Sequence, residues 1–402
     1  MRIRRIAVIA LLLAALVTGG WCAAEAQDKQ EFVLTYLGRN EPPVLHLSLA
    51  EPSLTDEGIM GARQAIRENQ TTGKFLGQDF RLEEIVLPKD GDAVAAFKDA
   101  LAKGQRLFVV DLRAPDLLAI APLADEAGAI VFNSRATDDD LRTDKCFLSV
   151  FHTAPSRAMK ADALAQYLVW KRWPNWVLIY GSHPEDQAMA EAYRHAAIKF
   201  GGKIVEERLY QDTGGARRTD SGHVQVQSQM PVFTQGLPDY DVMIVADESE
   251  VFGDYMEFRT WDARPVAGTS GLSPTAWSRV HEQWGGTQMQ RRFEKFAGRP
   301  MTERDYNAWV AVRSLGEAAT RTKSTDPKVL HDYLISDAFQ LGAFKGDPVT
   351  YRRWDQQLRE PILLVTPRML VSVSPQEQFL HQRSRLDTLG YDEPESRCRL
   401  NP

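Results

Sequence analysis

The chain has 402 residues, of which 44% are hydrophobic and 25% charged, the composition of a globular protein. Its formal net charge of −6 works against partnership with nucleic acid or with an anionic membrane surface. Its length suits two domain-sized units of roughly 150 residues each.

Taken in chain order, the first stretch sets the compartment. Arg2, Arg4 and Arg5 precede an unbroken apolar run over residues 6–17. Ala24-Glu25-Ala26 then places small residues at the two positions a signal peptidase reads. This predicts a secretory signal over residues 1–26, cleaved before Gln27. The apolar run is shorter than the roughly 20 residues a spanning helix needs, and bulky Trp21 before Cys22 argues against lipoprotein processing. No later segment is apolar enough to span, so no membrane insertion of the mature chain is expected. Cleavage removes three arginines and one glutamate, taking the formal charge from −6 to −8. It also leaves Cys146 and Cys398 as the remaining cysteines. Two cysteines in an oxidising compartment can pair, and a Cys146–Cys398 bridge pinning the C-terminal tail is expected. The alternative is two separate buried thiols.

Residues 32–37 read as a first strand, followed by a loop holding Pro42, Pro43 and Pro52. Thr55 and Asp56 are positioned to cap a helix through Met60, Ala62, Ala65 and Ile66, closed by Thr72-Gly73-Lys74. A strand over 80–87, a helix over 92–103, a buried strand within 106–112, a helix over 115–127 and a strand over 129–133 follow. This β-α-β-α order predicts a parallel sheet covered on both faces. The rhythm restarts after Pro155, with Ser156 capping a helix through Ala165 and Leu168. Strands are predicted over 176–180, 203–210, 241–246 and 264–268, and helices over 185–200, 224–233 and 305–322. Residues 212–220 form a polar loop, 341–344 and 361–373 look extended, and the charged tail from Gln376 is weakly patterned.

Catalytic signatures are missing. There is no GxSxG elbow, P-loop or GxGxxG after the first strand, and no pair of the eight histidines forms HExxH. A protein without an enzymatic step of its own and without a cofactor is expected. Two acidic groups stand out, Asp138-Asp139-Asp140 and Asp247-Glu248-Ser249-Glu250. Both follow predicted parallel strands, where open α/β sheets place their ligand crevice. Either they cap the next helices, or their oxygens hold a hard cation such as calcium.

Several segments, in order, resemble type I periplasmic binding proteins of the Leu/Ile/Val-binding class. These are Gly61 to Gln70 with Gly73 and Gly77, then Asn133-Ser134-Arg135-Ala136-Thr137-Asp138-Asp139-Asp140-Leu141, then Phe151-His152-Thr153-Ala154-Pro155-Ser156, Tyr306-Asn307-Ala308-Trp309 and Phe344-Lys345-Gly346-Asp347. The run from Tyr351 to Arg359 and the tail from Leu386 to Cys398 resemble a narrower branch, the ABC-transporter substrate-binding proteins associated with PQQ-dependent alcohol dehydrogenase systems.

The resemblance implies an α/β fold of two doubly wound parallel-sheet lobes joined by three crossovers, the type I periplasmic binding fold. Lobe 1 would comprise 27–150 and 268–346. Lobe 2 would comprise 151–267 with return strands over 347–375, followed by a tail over 376–402. Crossings would lie near residues 150, 267 and 346. The resemblance also implies a periplasmic monomer that takes a small-molecule ligand between its lobes and delivers it to an ABC transporter membrane component.

The implied cleft residues are Arg113, Asn133, Arg135, Thr137, Asp247, Glu248, Thr269 and Ser270. Thr137 is retained from the family's carboxylate-holding segment, and Arg135 is suited to bidentate binding of a carboxylate. Arg113 and Ala114 fall where the family has a serine loop. Ser270 falls where the family has an acid that holds a ligand ammonium. A buried ammonium without a carboxylate is costly, so branched-chain amino acids are not the expected ligand unless Asp247 or Glu248 substitutes. Two alternatives differ in class. One is an accessory protein of a PQQ-dependent dehydrogenase that binds a protein or a metal (calcium or lanthanide). The other is a metal-dependent enzyme, which requires three converging ligands and a base near the acidic groups.

Overall fold

A computed structural model describes residues 29–41, 53–214, 225–398 and 400. The expected signal over 1–26, the prolines at 42, 43 and 52, and most of the 212–220 loop lie outside the described residues. In chain order, the first lobe opens with β1 (Gln30–Arg39), α1 (Ile59–Leu76), β2 (Gln78–Leu87) and α2 (Ala93–Ala102). It continues through β3 (Leu107–Asp111), α3 (Ala114–Ala127), β4 (Ile130–Asn133), α4 (Asp140–Thr143) and β5 (Val150–His152). The five strands form one parallel sheet in the order β2-β1-β3-β4-β5.

Side chains alternate across a strand with period two, and that alternation builds two cores. Phe32, Leu34, Tyr36, Val109 and Phe132 face one apolar cluster, while Leu37, Phe108, Val110 and Val131 face another. Both faces are apolar and covered, as an all-parallel sheet requires.

The second lobe repeats the scheme with α5 (Arg157–Trp170), β6 (Asn175–Gly181), α6 (Pro184–Phe200), β7 (Lys203–Tyr210), α7 (Val226–Phe233), β8 (Val242–Ala246), α8 (Gly253–Arg259) and β9 (Val266–Gly268). Its parallel sheet runs β7-β6-β8-β9. Trp176, Leu178 and Ile244 face one core, and Val177, Ile179 and Met243 the other. Ser156 caps α5 by accepting from the Met159 N–H.

The chain then returns through β10 (Ser273–Thr275), α9 (Gly286–Ala297), α10 (Glu303–Thr322), α11 (Pro327–Leu334), β11 (Thr350–Tyr351), β12 (Leu358–Arg359), β13 (Ile362–Thr366) and β14 (Met369–Ser374). Met289, Phe293, Trp309, Leu315 and Leu330 rejoin the first lobe's core. Ile362 and Leu364 join that of the second. The expected extended stretch over 361–373 is a hairpin, β13 pairing antiparallel with both β10 and β14. The stretch expected over 341–344 forms a single bridge, Leu341 to Val349, because Phe344 turns away with φ 58°. Among the described residues no helix is long and apolar enough to cross a membrane.

The start of α1 differs from expectation. Neither Thr55 nor Asp56 caps it; Asp56 pairs with Arg299 at 2.8 Å. The helix begins after Gly58 (φ 76°), whose N–H donates to Asp305 Oδ1 of α10 at 2.9 Å. That exchange follows from close helix packing. A Cβ on Gly61 would lie 1.8 Å from the Asp305 carbonyl oxygen, so α10 reaches near enough to supply the acceptor. The helix also runs past Gly73 and closes at left-handed Gly77. Gly73 instead admits β2, a Cβ there falling 2.7 Å from the Gln78 carbonyl oxygen.

Candidate functional site

Parallel α/β sheets place ligands beyond the carboxyl ends of their strands. In the first lobe that edge holds a pocket of about 160 Å³ lined by Tyr36, Glu41, Asp111, Arg113, Arg135 and Arg304, among others. β1 delivers Tyr36 and, just past its end, Glu41; β3 ends on Asp111. Arg113 is the residue immediately before α3, and Arg135 follows β4. The Tyr36 hydroxyl donates to Asp111 Oδ2 at 2.8 Å, and Arg304 Nη2 donates to the same oxygen at 2.7 Å. Arg113 grips both oxygens of Glu41, through Nε and Nη2 at 2.9 Å each. Arg135 Nη2 reaches Glu41 Oε2 at 2.5 Å. Partial burial pushes the Glu41 carboxyl up, but hydrogen bonds from Arg113 and Arg135 and their charges outweigh it and hold it at about 2. The Arg113 guanidinium is raised chiefly by its hydrogen bonds to Glu41, with burial acting against it, and the Glu185 carboxylate in the first turn of α6 adds a smaller effect.

Asn133 aims Arg135 without lining the pocket. Its Oδ1 accepts from the Arg135 N–H at 3.1 Å and the Ala136 N–H at 2.8 Å. Its amide nitrogen donates to the Ala136 carbonyl at 2.8 Å and to His152 Nδ1 at 3.0 Å. Thr137 offers its carbonyl to the Arg157 N–H at 2.9 Å.

The second-lobe residues form a different kind of arrangement. Asp247 is buried and accepts from the backbone N–H groups of Val251, Phe252 and Gly253 at 3.0, 2.8 and 2.6 Å. Thr269 Oγ1 accepts from the Asp247 N–H at 3.0 Å and donates to the Val245 carbonyl at 3.2 Å. Ser270 is buried against Gly253, where a Cβ would lie 2.5 Å from its Oγ. Glu248 takes two bonds from Arg157. The structure thus brings Arg113 and Arg135 together on one pocket, while Asn133, Asp247 and Thr269 scaffold the turns behind strand ends.

The cation reading of the acidic groups is not supported by their partners. Asp138 pairs with Arg157, Asp140 with Lys145, and Asp139 accepts from the Ala158 N–H. Among the described residues, no group of three or more His, Cys, Asp or Glu side chains is placed to hold a metal ion. Cys146 and Cys398 form a disulfide, with Cα atoms 5.9 Å apart.

Sequence reasoning passed over Tyr36, Glu41, Asp111 and Arg304. Asp111 carried a signal, as the acid ending a run of Leu-Phe-Val-Val. Arg304 carried none, because it comes from α10, 193 positions away from Asp111. A larger cavity of about 450 Å³ lies between α11 and the amino end of β4, near Leu148, Lys328 and His331. Its lining is mostly apolar and it sits at the opposite end of the sheet from the crevice, so the smaller polar pocket is the candidate site.

Residues 56–220 match the family described as periplasmic binding protein. No curated protein matches the sequence. Solved structures resemble it across most of its length. An ABC transporter substrate-binding protein from Sphaerobacter thermophilus superposes with a TM-score of 0.70 at 14% identity, over 90% of this chain and 100% of that one. A substrate-binding protein from Desulfitobacterium hafniense, in complex with Leu, gives 0.64 at 17% identity over 86% and 100%. A solute-binding protein from Rhodopseudomonas palustris BisB5, in complex with 3,4-dihydroxy benzoic acid, gives 0.60 at 12% identity over 84% and 93%. With two parallel sheets flanked by helices and these structural neighbours, the chain has the type I periplasmic binding-protein fold.

Proposed function

We propose that this protein is the periplasmic solute-binding component of an ABC transport system and holds a small polar solute between its lobes. The observation that carries this reading is the convergence of Arg113, Arg135, Arg304, Asp111 and Tyr36 at the carboxyl ends of the first lobe's strands. Polar groups converging in a concave site at this position are the pattern expected for solute recognition. Two similar structures hold small solutes, Leu in one and 3,4-dihydroxy benzoic acid in the other. The lobe boundaries expected near residues 150, 267 and 346 serve as hinges in this reading, and solute shifts an open–closed equilibrium about them. The likeness of residues 351–359 and 386–398 to proteins associated with PQQ-dependent alcohol dehydrogenases supports a role beside such a system. No chemical step is assigned to the chain.

The test is thermal unfolding against amino acids, PQQ, small organic acids, calcium and lanthanides. A solute that binds only the folded state raises the melting temperature with concentration. Selective stabilisation by one organic solute, lost on Arg135→Leu, is the expected result. Stabilisation by no solute of any class, or by a metal alone, overturns the proposal.

A further inference from the structure

The two arginines that follow β11 turn opposite ways. Arg352 is buried and faces the C-terminal tail, donating from Nε to Asp387 at 3.1 Å and from Nη2 to the Leu389 carbonyl at 2.6 Å. Arg353 faces outward, its side chain 58% exposed. Next to them, the Trp354 ring carries two guanidiniums over it, those of Arg352 and Arg359, at 5.2 and 5.4 Å from its centre. Arg359 of β12 also donates to Asp387, from Nε at 2.6 Å. These contacts draw the β11–β12 hairpin, the tail from Arg383 and the residues just after α11 around a pocket of about 420 Å³. It shares no lining residue with the pocket at the first lobe's strand ends.

This pocket is not satisfied from within. Trp354 is 8% exposed, and its indole N–H is buried with no hydrogen-bond partner among the described residues. Buried donors are almost always paired, and an unpaired one costs stability. An indole nitrogen only donates, so the group that completes it is an acceptor. The acids of the lining are engaged instead. Asp387 takes Arg352 and Arg359, Asp337 pairs with Arg353 at 3.2 Å, and Glu393 pairs with Arg383 at 3.2 Å. The last two pairs stand in solvent, the Arg383 side chain being 82% exposed. Solvent-exposed pairs hold their members weakly, so both rim guanidiniums exchange readily onto a better-placed anion.

We propose that the pocket between the hairpin and the tail is a second ligand site, which takes a tetrahedral oxyanion, a phosphate or sulfate group. The Trp354 indole N–H and the guanidiniums of Arg353 and Arg383 donate to it. Guanidiniums suit phosphate oxygens in geometry and charge. Donors from both the hairpin and the tail suit a tetrahedral anion, with acceptors in several directions, better than a planar carboxylate. The volume lies in the range of small-molecule sites, leaving room for a molecule that carries the anion. Position gives the site a consequence. Leu330 of α11 belongs to the first lobe's core, whereas the tail is tied to the second lobe, Thr388 accepting from Gln166 and Gly390 donating to Asp162. A ligand here touches segments fixed to both lobes. The site stands independently of what the first-lobe pocket binds.

The test uses calorimetry and the NMR signals of the indole N–H groups on the full-length exported protein. Phosphate, sulfate and glycerol 3-phosphate are the probes, with acetate and chloride as controls at equal ionic strength. Phosphate should bind saturably and shift one indole signal, the one missing from Trp354→Phe. That variant keeps an aromatic ring in place but loses the donor, and should bind about tenfold or more weakly. Arg383→Gln, at an exposed position that the fold tolerates, should weaken binding by a similar factor. Arg135→Leu, in the first-lobe pocket, should leave phosphate affinity unchanged. Glycerol 3-phosphate binding tighter than phosphate marks a carried group, and the reverse marks a free ion; either supports the site. Absence of saturable binding, acetate binding as tightly as phosphate, or full affinity in both Trp354→Phe and Arg383→Gln overturns the proposal. Loss of phosphate binding in Arg135→Leu also overturns it, because the anion then sits in the first-lobe pocket.

Discussion

Arg157 donates twice to Glu248, from Nε at 3.0 Å and from Nη2 at 2.7 Å. Its Nη1 also lies 3.2 Å from Asp138, in the loop after β4. One guanidinium of the second lobe thus neutralises an acid from each lobe. Arg157→Leu leaves the two acids without their cation, and the arginine is nearly buried. A loss of about 2–4 kcal/mol in urea unfolding is expected. Glu248→Gln keeps Asp138 as a partner and should cost about 1 kcal/mol. An Arg157→Leu cost no larger than that of Glu248→Gln would show that the bridge is merely superficial.

Asp247 is predicted to act through structure. Its three backbone bonds hold the turn into α8, so Asp247→Ala should destabilise the fold by about 2 kcal/mol. Terbium luminescence should titrate alike in wild type and Asp247→Ala. A saturable terbium site lost with this carboxylate would restore the cation reading.

His152 predicts an acid-sensitive site loop. Burial, and then the charge of Arg142, hold its pKa well below the ordinary value, so the folded ring is neutral. Asn133 is oriented by two backbone N–H groups, so its amide nitrogen faces the ring and Nδ1 is the acceptor. In the unfolded chain the ring gains a proton below about pH 6.5. The folded chain therefore binds fewer protons there. The stabilising contribution is complete above about pH 6.5 and is lost as pH falls below it. Between pH 7.5 and 5.5, wild type should lose about 1 kcal/mol more stability than His152→Gln in urea unfolding. Parallel pH profiles would contradict this assignment.

The tail is a strap between lobes. Gly390 donates its N–H to Asp162, and Lys199 donates to the Gly390 carbonyl, fixing this part to the second lobe. The Ser396 hydroxyl then donates to the Arg142 carbonyl, and Cys398 bonds to Cys146 in the first lobe. The bridge spans 252 positions. Its removal by Cys146→Ser with Cys398→Ser should cost about 2–4 kcal/mol. Limited proteolysis should then cut the tail while both sheets stay protected. Unchanged resistance to protease would mean that the non-covalent anchors suffice.

The alternating strand and helix patterns, the Ser156 cap, the ends of several strands and the two cysteines available to pair were legible in the sequence. These features are local, set by side-chain period, capping chemistry and composition. Arg113, Asn133 and Arg135 were legible as residues at strand ends, through the family resemblance. What the sequence could not show was which groups meet. The cap of α1 comes from Asp305, and the acceptor for Tyr36 and Arg304 is Asp111. The two arginines face a carboxylate that drew no attention, Glu41. These pairings join segments tens to hundreds of residues apart, and no local periodicity encodes them. Only the packing of α10 on α1 and the stacking of strand ends in one sheet decide them. Asp247 makes the same point in reverse: its position at a strand end allowed a ligand or a cap, and the three N–H groups folded around it decided for the cap.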